Sequence, residues 1–415
     1  MAQYNFEGDF ASLNELQLDY INKVILEQDV KVKKVVFQQL GQAGDNFMGN
    51  VKRIIVEGEN GTLRMILKIA SSNEVTRLTY NTGLMFKNEH IMYTEVLPKF
   101  VQLQTDAGVP QEEWLRYAKC YGSLNEEPNE VILLEDLNDS NFSMMDKFKS
   151  LPDEYVKNFL KTFAVFHSLS FVMKKQDPEI YNKFREELND PWERIAESEQ
   201  SMMFMENIEK DIAAIIEDET YKGLLKNKIT DGFKLRKIRN SEKDTKYTVI
   251  QHGDAWTNNI MFRVVDDSLE SCLVDFQASN DNSPVSDILF MIIICTDHEM
   301  RAQNFHNWIN YYHTELDKSL SYFGLRADNI YPRDQLDADL KRYAKPLLAI
   351  CLLITNLAMR DSKEAGVVIN NMRNMEHEDD LVDTLKGDSL EKGTVARINK
   401  KIGGFIESYK KFGLF

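Results

Sequence analysis

QHGDAWTNNIMF, residues 251–262, sets a histidine, an aspartate, a tryptophan and two asparagines into one short polar interruption. KYTVI (246–250) precedes it and IMFRVV (260–265) carries on from it, both with the β-branched and aromatic content of strands. A surface hairpin accounts for the aspartate and asparagines, whose side chains favour turns. It does not account for His252 or Trp256. Nor does it explain why a carboxylate, Asp254, and an amide, Asn259, stand five residues apart.

Moving a phosphoryl group onto a hydroxyl explains that pair. The reaction needs a carboxylate to orient the hydroxyl and accept its proton, and oxygen ligands for the Mg²⁺ that neutralises nucleotide phosphates. The kinase catalytic loop H-R-D-x-x-x-x-N meets both needs at the same Asp-to-Asn interval, with Asp254 as base and Asn259 as metal ligand. CLVDFQ (272–277) follows as an apolar strand ending in Asp275, placed to hold Mg²⁺; the alternative is an ordinary strand-terminating aspartate. Far upstream, Lys68 is the lone charge from Met65 to Ala70 in LRMILKIA (63–70), costly in a buried strand unless paired. Glu89 on the following helix is an available partner, and kinases use such a pair on the α/β-phosphates. The alternative is a lysine reaching solvent from a strand edge. LGQAGDNFMGN (40–50) supplies a glycine turn through Gly41, Gly44 and Gly49, with the backbone of Asn46 and Phe47 approaching the nucleotide and Asp45 facing solvent. Its spacing is not GxGxxG. The order of glycine turn, strand lysine, helix glutamate, ILLEDL (132–137), HGDxxxxN and DFQ is that of a kinase fold.

The rest of the chain agrees. Its 415 residues, 43% hydrophobic and 28% charged, suit a globular protein of two lobes. A formal charge of -16 argues against a nucleic-acid partner, and the local cluster Lys234, Arg236, Lys237, Arg239 reads as a solvated face. Cys120, Cys272, Cys295 and Cys351 are too scattered for a disulfide framework or a zinc site and fit a reduced, cytoplasmic protein. MAQYNFEGDF lacks the features of a secretory signal. ILFMIIIC (288–295) and LLAICLLI (347–354) fall short of the ~20 residues that span a bilayer and read as core helices, so no membrane association is expected. ENG (59–61) marks a hairpin between KRIIVEG (52–58) and the strand of Lys68. Pro98 interrupts or ends the first part of a helix over 86–108, and Pro346 makes 334–360 two helices or one kinked one. The expectation is an α+β, bilobal, protein-kinase-like fold, with a β-rich nucleotide-binding lobe over 1–137 and a larger, mostly helical catalytic and substrate-binding lobe over 138–415.

GDNF (44–47), ILK (66–68), FKNEHIMYTEVLP (86–98), LLEDL (133–137), FHSLS (166–170), HGDAWTNNIMF (252–262) and VDFQ (274–277) resemble the choline/aminoglycoside kinase-like superfamily and, more narrowly, the ecdysteroid kinase-like family. The likeness runs from about residue 35 to 325, and HGDxWxxN with DFQ is its family-specific form. It implies ATP- and Mg²⁺-dependent phosphorylation of a hydroxyl on a small molecule, with Asp254 catalytic, Asn259 and Asp275 on the metal, and Lys68, supported by Glu89, on the phosphates. It also implies that Glu135 to Leu137 present backbone to adenine, that Asp287 anchors the catalytic loop, and that His252 supports that loop. The alternative for Asp287 is a helix N-cap. The favoured acceptor is an ecdysteroid or related steroid alcohol; an amino-alcohol, or a phenol or glycoside handled in detoxification, is the alternative, and a non-catalytic nucleotide-binding scaffold is the alternative to a kinase. DFQ departs from DFG, and only ASNDNSPVS separates Gln277 from Asp287, too little for an activation loop, so no protein substrate is expected. His167 reads as a hydrogen-bonded core histidine. Trp256 either lines the acceptor pocket or packs the loop, and Trp192, Trp308, Tyr311 and Tyr312 are candidates for an apolar substrate wall or for core.

Overall fold

β3 (Asn50–Gly58) and β4 (Thr62–Ile69) form the expected hairpin, and the alternation of their side chains orients everything around them. Ile54 and Val56 of β3 and Met65, Leu67 and Ile69 of β4 point to one face, where they pack on Ile21, Val24 and Ile25 of the helix Glu15–Leu26. That helix starts in a capping box: the Asn14 side chain accepts the Gln17 N–H at 3.0 Å, and Gln17 Oε1 accepts the Asn14 N–H at 3.1 Å. Period two puts Ile66 and Lys68 on the opposite face, toward the larger core cluster.

The structure, a computed structural model, describes residues 4–40, 50–195, 197–383 and 390–415. Gly41, Gly44, Asp45, Asn46, Phe47 and Gly49, the expected glycine turn, therefore lie outside the described residues. Among the described residues, six strands form one sheet. In spatial order they are Phe6–Gly8, Val32–Gln39, β3, β4, Val131–Glu135 and Cys120–Leu124, with a parallel pairing only between the first two. The helix Thr82–Ile91 continues through a π-helical turn, Met92–Val96, into Leu97–Asp106. Pro98, in the first turn of the last piece, has no N–H to close the regular ladder, and the widened turn just before it absorbs the mismatch.

Beyond the sheet the chain is mainly helical. Asp153–Gln176 packs along His298–Ser321, and Pro284–Cys295 is buried at every residue. Arg333–Ala358 is one helix with Pro346 inside it. Among the described residues no single helix is long and apolar enough to cross a membrane. The α+β arrangement expected from the sequence, strand-rich first and helical after, is the one found.

One expectation needs correcting. The basic cluster is not wholly a solvated face: Arg236 is buried and paired with Asp190 at 2.7 Å. Helical periodicity explains it, because Ile229, Gly232, Phe233 and Arg236 share the inward face of the helix Lys228–Ser241. Lys237 and Arg239 stay on the outer side, paired with Glu197 and Glu242.

Candidate active site

The polar interruption is a loop from the strand Val249–Gln251 to the strand Ile260–Val265, and one carboxylate holds its start. Asp287 Oδ2 accepts the backbone N–H of His252 at 2.7 Å, and Oδ1 accepts that of Gly253 at 2.8 Å. Asp287 is not the N-cap of its helix; Ser283 is, its side chain accepting the Val285 N–H. His167 stands behind Asp287, bonding Oδ2 through Nε2 at 3.2 Å and the Tyr312 hydroxyl through Nδ1 at 3.0 Å. The core histidine of the sequence reading is thus also a support of the loop anchor.

His252 is buried, and its ring partners fix its tautomer. Nε2–H donates to the Val274 carbonyl at 3.0 Å, and Nδ1 accepts the Asp254 N–H at 3.3 Å. Burial lowers its pKa, so the ring is neutral and ties the loop to the strand that delivers Asp275. Gly253 adopts φ +83°, and a Cβ there would meet the Ala278 carbonyl oxygen at 2.3 Å, so only glycine lets the two segments approach.

Asn259 then braces Asp254. Its Nδ2 donates to the Asp254 carbonyl at 2.8 Å and to Oδ2 at 3.0 Å, which leaves the amide oxygen as its free acceptor end. Asp254 Oδ1 is buried without a partner. Burial, and after it the charge of Asp275, raises the Asp254 pKa well above the ordinary aspartate value.

Asp275 itself takes the left-handed conformation, φ +71°, and Phe276–Ala278 forms a 3₁₀ turn. The bend that a glycine after the aspartate would supply is made by the aspartate, a residue that tolerates this region, so Gln277 carries no backbone strain there. Lys68 Nζ reaches Asp275 Oδ1 at 2.6 Å and Glu89 Oε2 at 2.5 Å. Burial disfavours its charge, but the two carboxylates outweigh burial and raise its pKa above the ordinary lysine value. Burial raises the Glu89 pKa against the opposing pull of Lys68. The lysine is therefore paired and does not reach solvent from a strand edge.

Lys68, Asp254, Asn259 and Asp275 border a single cavity of about 160 Å³. Trp256 and Trp192 line it as well. Trp308 and Tyr312 are core, and the half-buried Tyr311 packs on the core away from the cavity. Much of the remaining wall is apolar and was not legible as a site, namely Phe204 and Met205, Leu353 and Leu357, Met372 and Leu381, and Thr79, Tyr80 and Ser201 add hydroxyls to it. Glu135 and Leu137 do not line the cavity. Glu135 pairs with Met65, three residues and about 10 Å along β4 from Lys68. Its carboxylate accepts the Lys119 N–H at 3.2 Å and the Ser140 hydroxyl at 3.3 Å.

Among the described residues no three His, Cys, Asp or Glu side chains gather as a metal cluster. The Asp275 carboxylate and the amide oxygen that Asn259 leaves free nevertheless fit Mg²⁺, which shares its shell among one or two carboxylates, water and substrate phosphates. The arrangement has a lysine, an unpartnered carboxylate oxygen and hard oxygen donors on the wall of one largely apolar cavity.

The family model for the ecdysteroid kinase-like family matches residues 43–325. A spectinomycin phosphotransferase solved with ADP and spectinomycin is similar over 94% of this chain and 98% of its own, at 12% identity and TM-score 0.43. A microcompartment-associated aminopropanol kinase is similar over 96% of this chain and 99% of its own, at 11% identity and TM-score 0.41. No curated protein matches.

Proposed function

This chain belongs to the ecdysteroid kinase-like family, and on that premise we propose that it is a phosphotransferase moving the terminal phosphoryl group of ATP to an alcohol hydroxyl of a small, largely apolar acceptor. The observation that carries the reading is the convergence of Lys68, Asp254, Asn259 and Asp275 on one cavity. Asp254 Oδ1 orients the acceptor hydroxyl and takes its proton as the new O–P bond forms and the bond to ADP breaks. Lys68, held by Glu89, steadies the phosphates. Asn259 Oδ1 and the Asp275 carboxylate would hold Mg²⁺, which when bound neutralises charge on the phosphate oxygens. Asp275, bonded to Lys68 through Oδ1, would divide its carboxylate between the lysine and the metal. The backbone from Glu135 to Leu137 would face adenine. Residues 1–137 form the nucleotide lobe in this reading, and 138–415 the catalytic and acceptor lobe.

The apolar wall supports a steroid-like alcohol over a cationic amino-alcohol, for which the cavity offers no carboxylate beyond Asp254 and Asp275. At about 160 Å³ the cavity is below the ~300 Å³ at which sites for drug-sized ligands begin, so a steroid frame requires side chains to yield. Met205 and Met372, unbranched and pliable, are placed to do so. The protein is expected to act in the cytoplasm, where its free cysteines stay reduced.

The test is ATP- and Mg²⁺-dependent phosphate transfer to a panel of hydroxylated steroids and phenols, with products located by mass spectrometry and phosphorus NMR. Asp254→Asn should abolish transfer and keep nucleotide binding. A folded protein that binds Mg·ATP but phosphorylates no hydroxyl in the panel overturns the reading.

A further inference from the structure

The proposed transfer leaves four polar atoms of the cavity without a role. Thr79 Oγ1, Tyr80 OH, Trp192 Nε1 and Ser201 Oγ are all buried without a hydrogen-bond partner, and all four residues line the cavity. They come from separate elements: the end of the helix Glu74–Tyr80, the start of the short helix Pro191–Ile195, and the first turn of the helix Glu199–Ile215. A buried orphan donor is costly, and natural cores contain few of them. Their concentration on the one cavity that also holds Lys68 and Asp275 points to a ligand that completes them.

We propose that Thr79, Tyr80, Trp192 and Ser201 determine which acceptor this chain takes, each pairing with a hydroxyl or keto oxygen of the acceptor other than the reacting hydroxyl. The proposal rests on the kinase reading above and deepens it. Chemistry narrows the partner. The indole N–H of Trp192 can only donate, so it requires an acceptor oxygen on the ligand. The three hydroxyls can donate or accept, so they suit alcohols and ketones alike. A hydrocarbon frame fills the space along Phe204, Met205 and Leu357, and a mono-alcohol would leave all four protein groups unpaired. A site built this way rejects an analogue that lacks the matching oxygens far more strongly than an apolar pocket can reject an added methylene.

The test uses variants that remove only the polar atom: Trp192→Phe, Tyr80→Phe, Ser201→Ala and Thr79→Val. Binding of ecdysone, a polyhydroxylated steroid, and of cholestanol, with a single hydroxyl, is measured by equilibrium dialysis in the presence of ADP. Wild type should bind ecdysone more tightly, and each variant should lose about ten-fold for ecdysone with little change for cholestanol or for the KM of ATP. The melting temperature gives a readout that a structural role would move the other way. Deleting an orphan should leave Tm of the free protein unchanged or raised, whereas deleting a structural hydrogen bond lowers it. Equal binding of the two steroids by wild type, equal losses for both in the variants, lowered Tm throughout, or binding of neither steroid overturns the proposal. Selective ecdysone binding that the variants weaken, without phosphate transfer to it, strikes the kinase reading and leaves the recognition site standing.

Discussion

Asp287 holds His252 by its backbone: the carboxylate accepts the His252 N–H at 2.7 Å from 35 residues further along the chain, and its other oxygen takes the next N–H, that of Gly253. Two charge-assisted bonds from a buried residue set the height of the loop that carries Asp254, and His167 and Tyr312 keep the carboxylate from turning. Asp287→Asn removes the charge and turns an NH₂ toward one of the two N–H groups. The expected outcome is a kcat lower by on the order of 100-fold, the loss that follows a displacement of about 1 Å, with the KM of ATP changed much less. Steady-state kinetics on the phosphorylated acceptor check it. A KM effect with kcat intact would assign Asp287 to stability alone.

Glu89 competes with Asp275 for Lys68, and that competition predicts a metal phenotype. In Glu89→Gln the lysine keeps Asp275 as its one carboxylate partner, so Asp275 is drawn further from the place where Mg²⁺ would sit. Half-maximal activity should then need several-fold more Mg²⁺, and kcat should fall by about ten-fold or more. Lys68→Met should instead raise the KM of ATP without a higher Mg²⁺ requirement. Titration of Mg²⁺ at fixed ATP separates the two.

What could be read in the sequence and what could not differ by whether a residue's partner is near in the chain. Asp254 and Asn259 are legible because a five-residue loop brings them together by itself. Lys68 is legible because a lone charge in an apolar strand demands a partner. His167 reads correctly as core, yet its tie to Asp287 spans 120 residues and leaves no local trace. LLAICLLI (347–354) reads as core because residues facing a pocket and residues facing a protein interior share one apolar pattern; only packing shows that Leu353 and Ile354 border the cavity. Ser283 rather than Asp287 caps its helix, a difference of one helical turn that composition does not resolve. Arg236 is hidden inside a basic run whose neighbours do face solvent.

Asp254 predicts two linked pH effects of opposite sense. Burial, and then Asp275, raises its pKa, and a base works only when unprotonated, so kcat/KM should fall with decreasing pH well before an exposed aspartate, pKa about 3.9, would titrate. For stability, the folded state binds the proton more tightly than the unfolded chain, so this residue destabilises increasingly as pH rises above the unfolded value. Asp254→Asn should therefore raise Tm at pH 7, and the gain should vanish near pH 4. Thermal denaturation of both proteins across that range decides it; a Tm difference independent of pH would show that Asp254 is not the group involved.

Arg236 and Asp190 predict a coupling between stability and the pocket wall. Asp190 Oδ2 accepts Arg236 Nε at 2.7 Å and Asn240 Nδ2 at 3.1 Å, while Oδ1 accepts the Trp192 N–H at 3.0 Å, so this buried carboxylate fixes the turn that carries an aromatic wall of the cavity. Arg236→Met strips the charge partner and leaves the carboxylate buried on neutral donors, a loss of about 3–5 kcal/mol. The double variant Arg236→Met/Asp190→Leu removes the stranded charge and should recover most of that stability in urea unfolding, because a well-packed apolar pair often replaces a buried ion pair at little cost. It also frees the Trp192 backbone. The acceptor KM should then stay raised in the double variant although the stability has returned, and a KM that recovers along with stability would show that the Asp190–Trp192 bond does not position the wall.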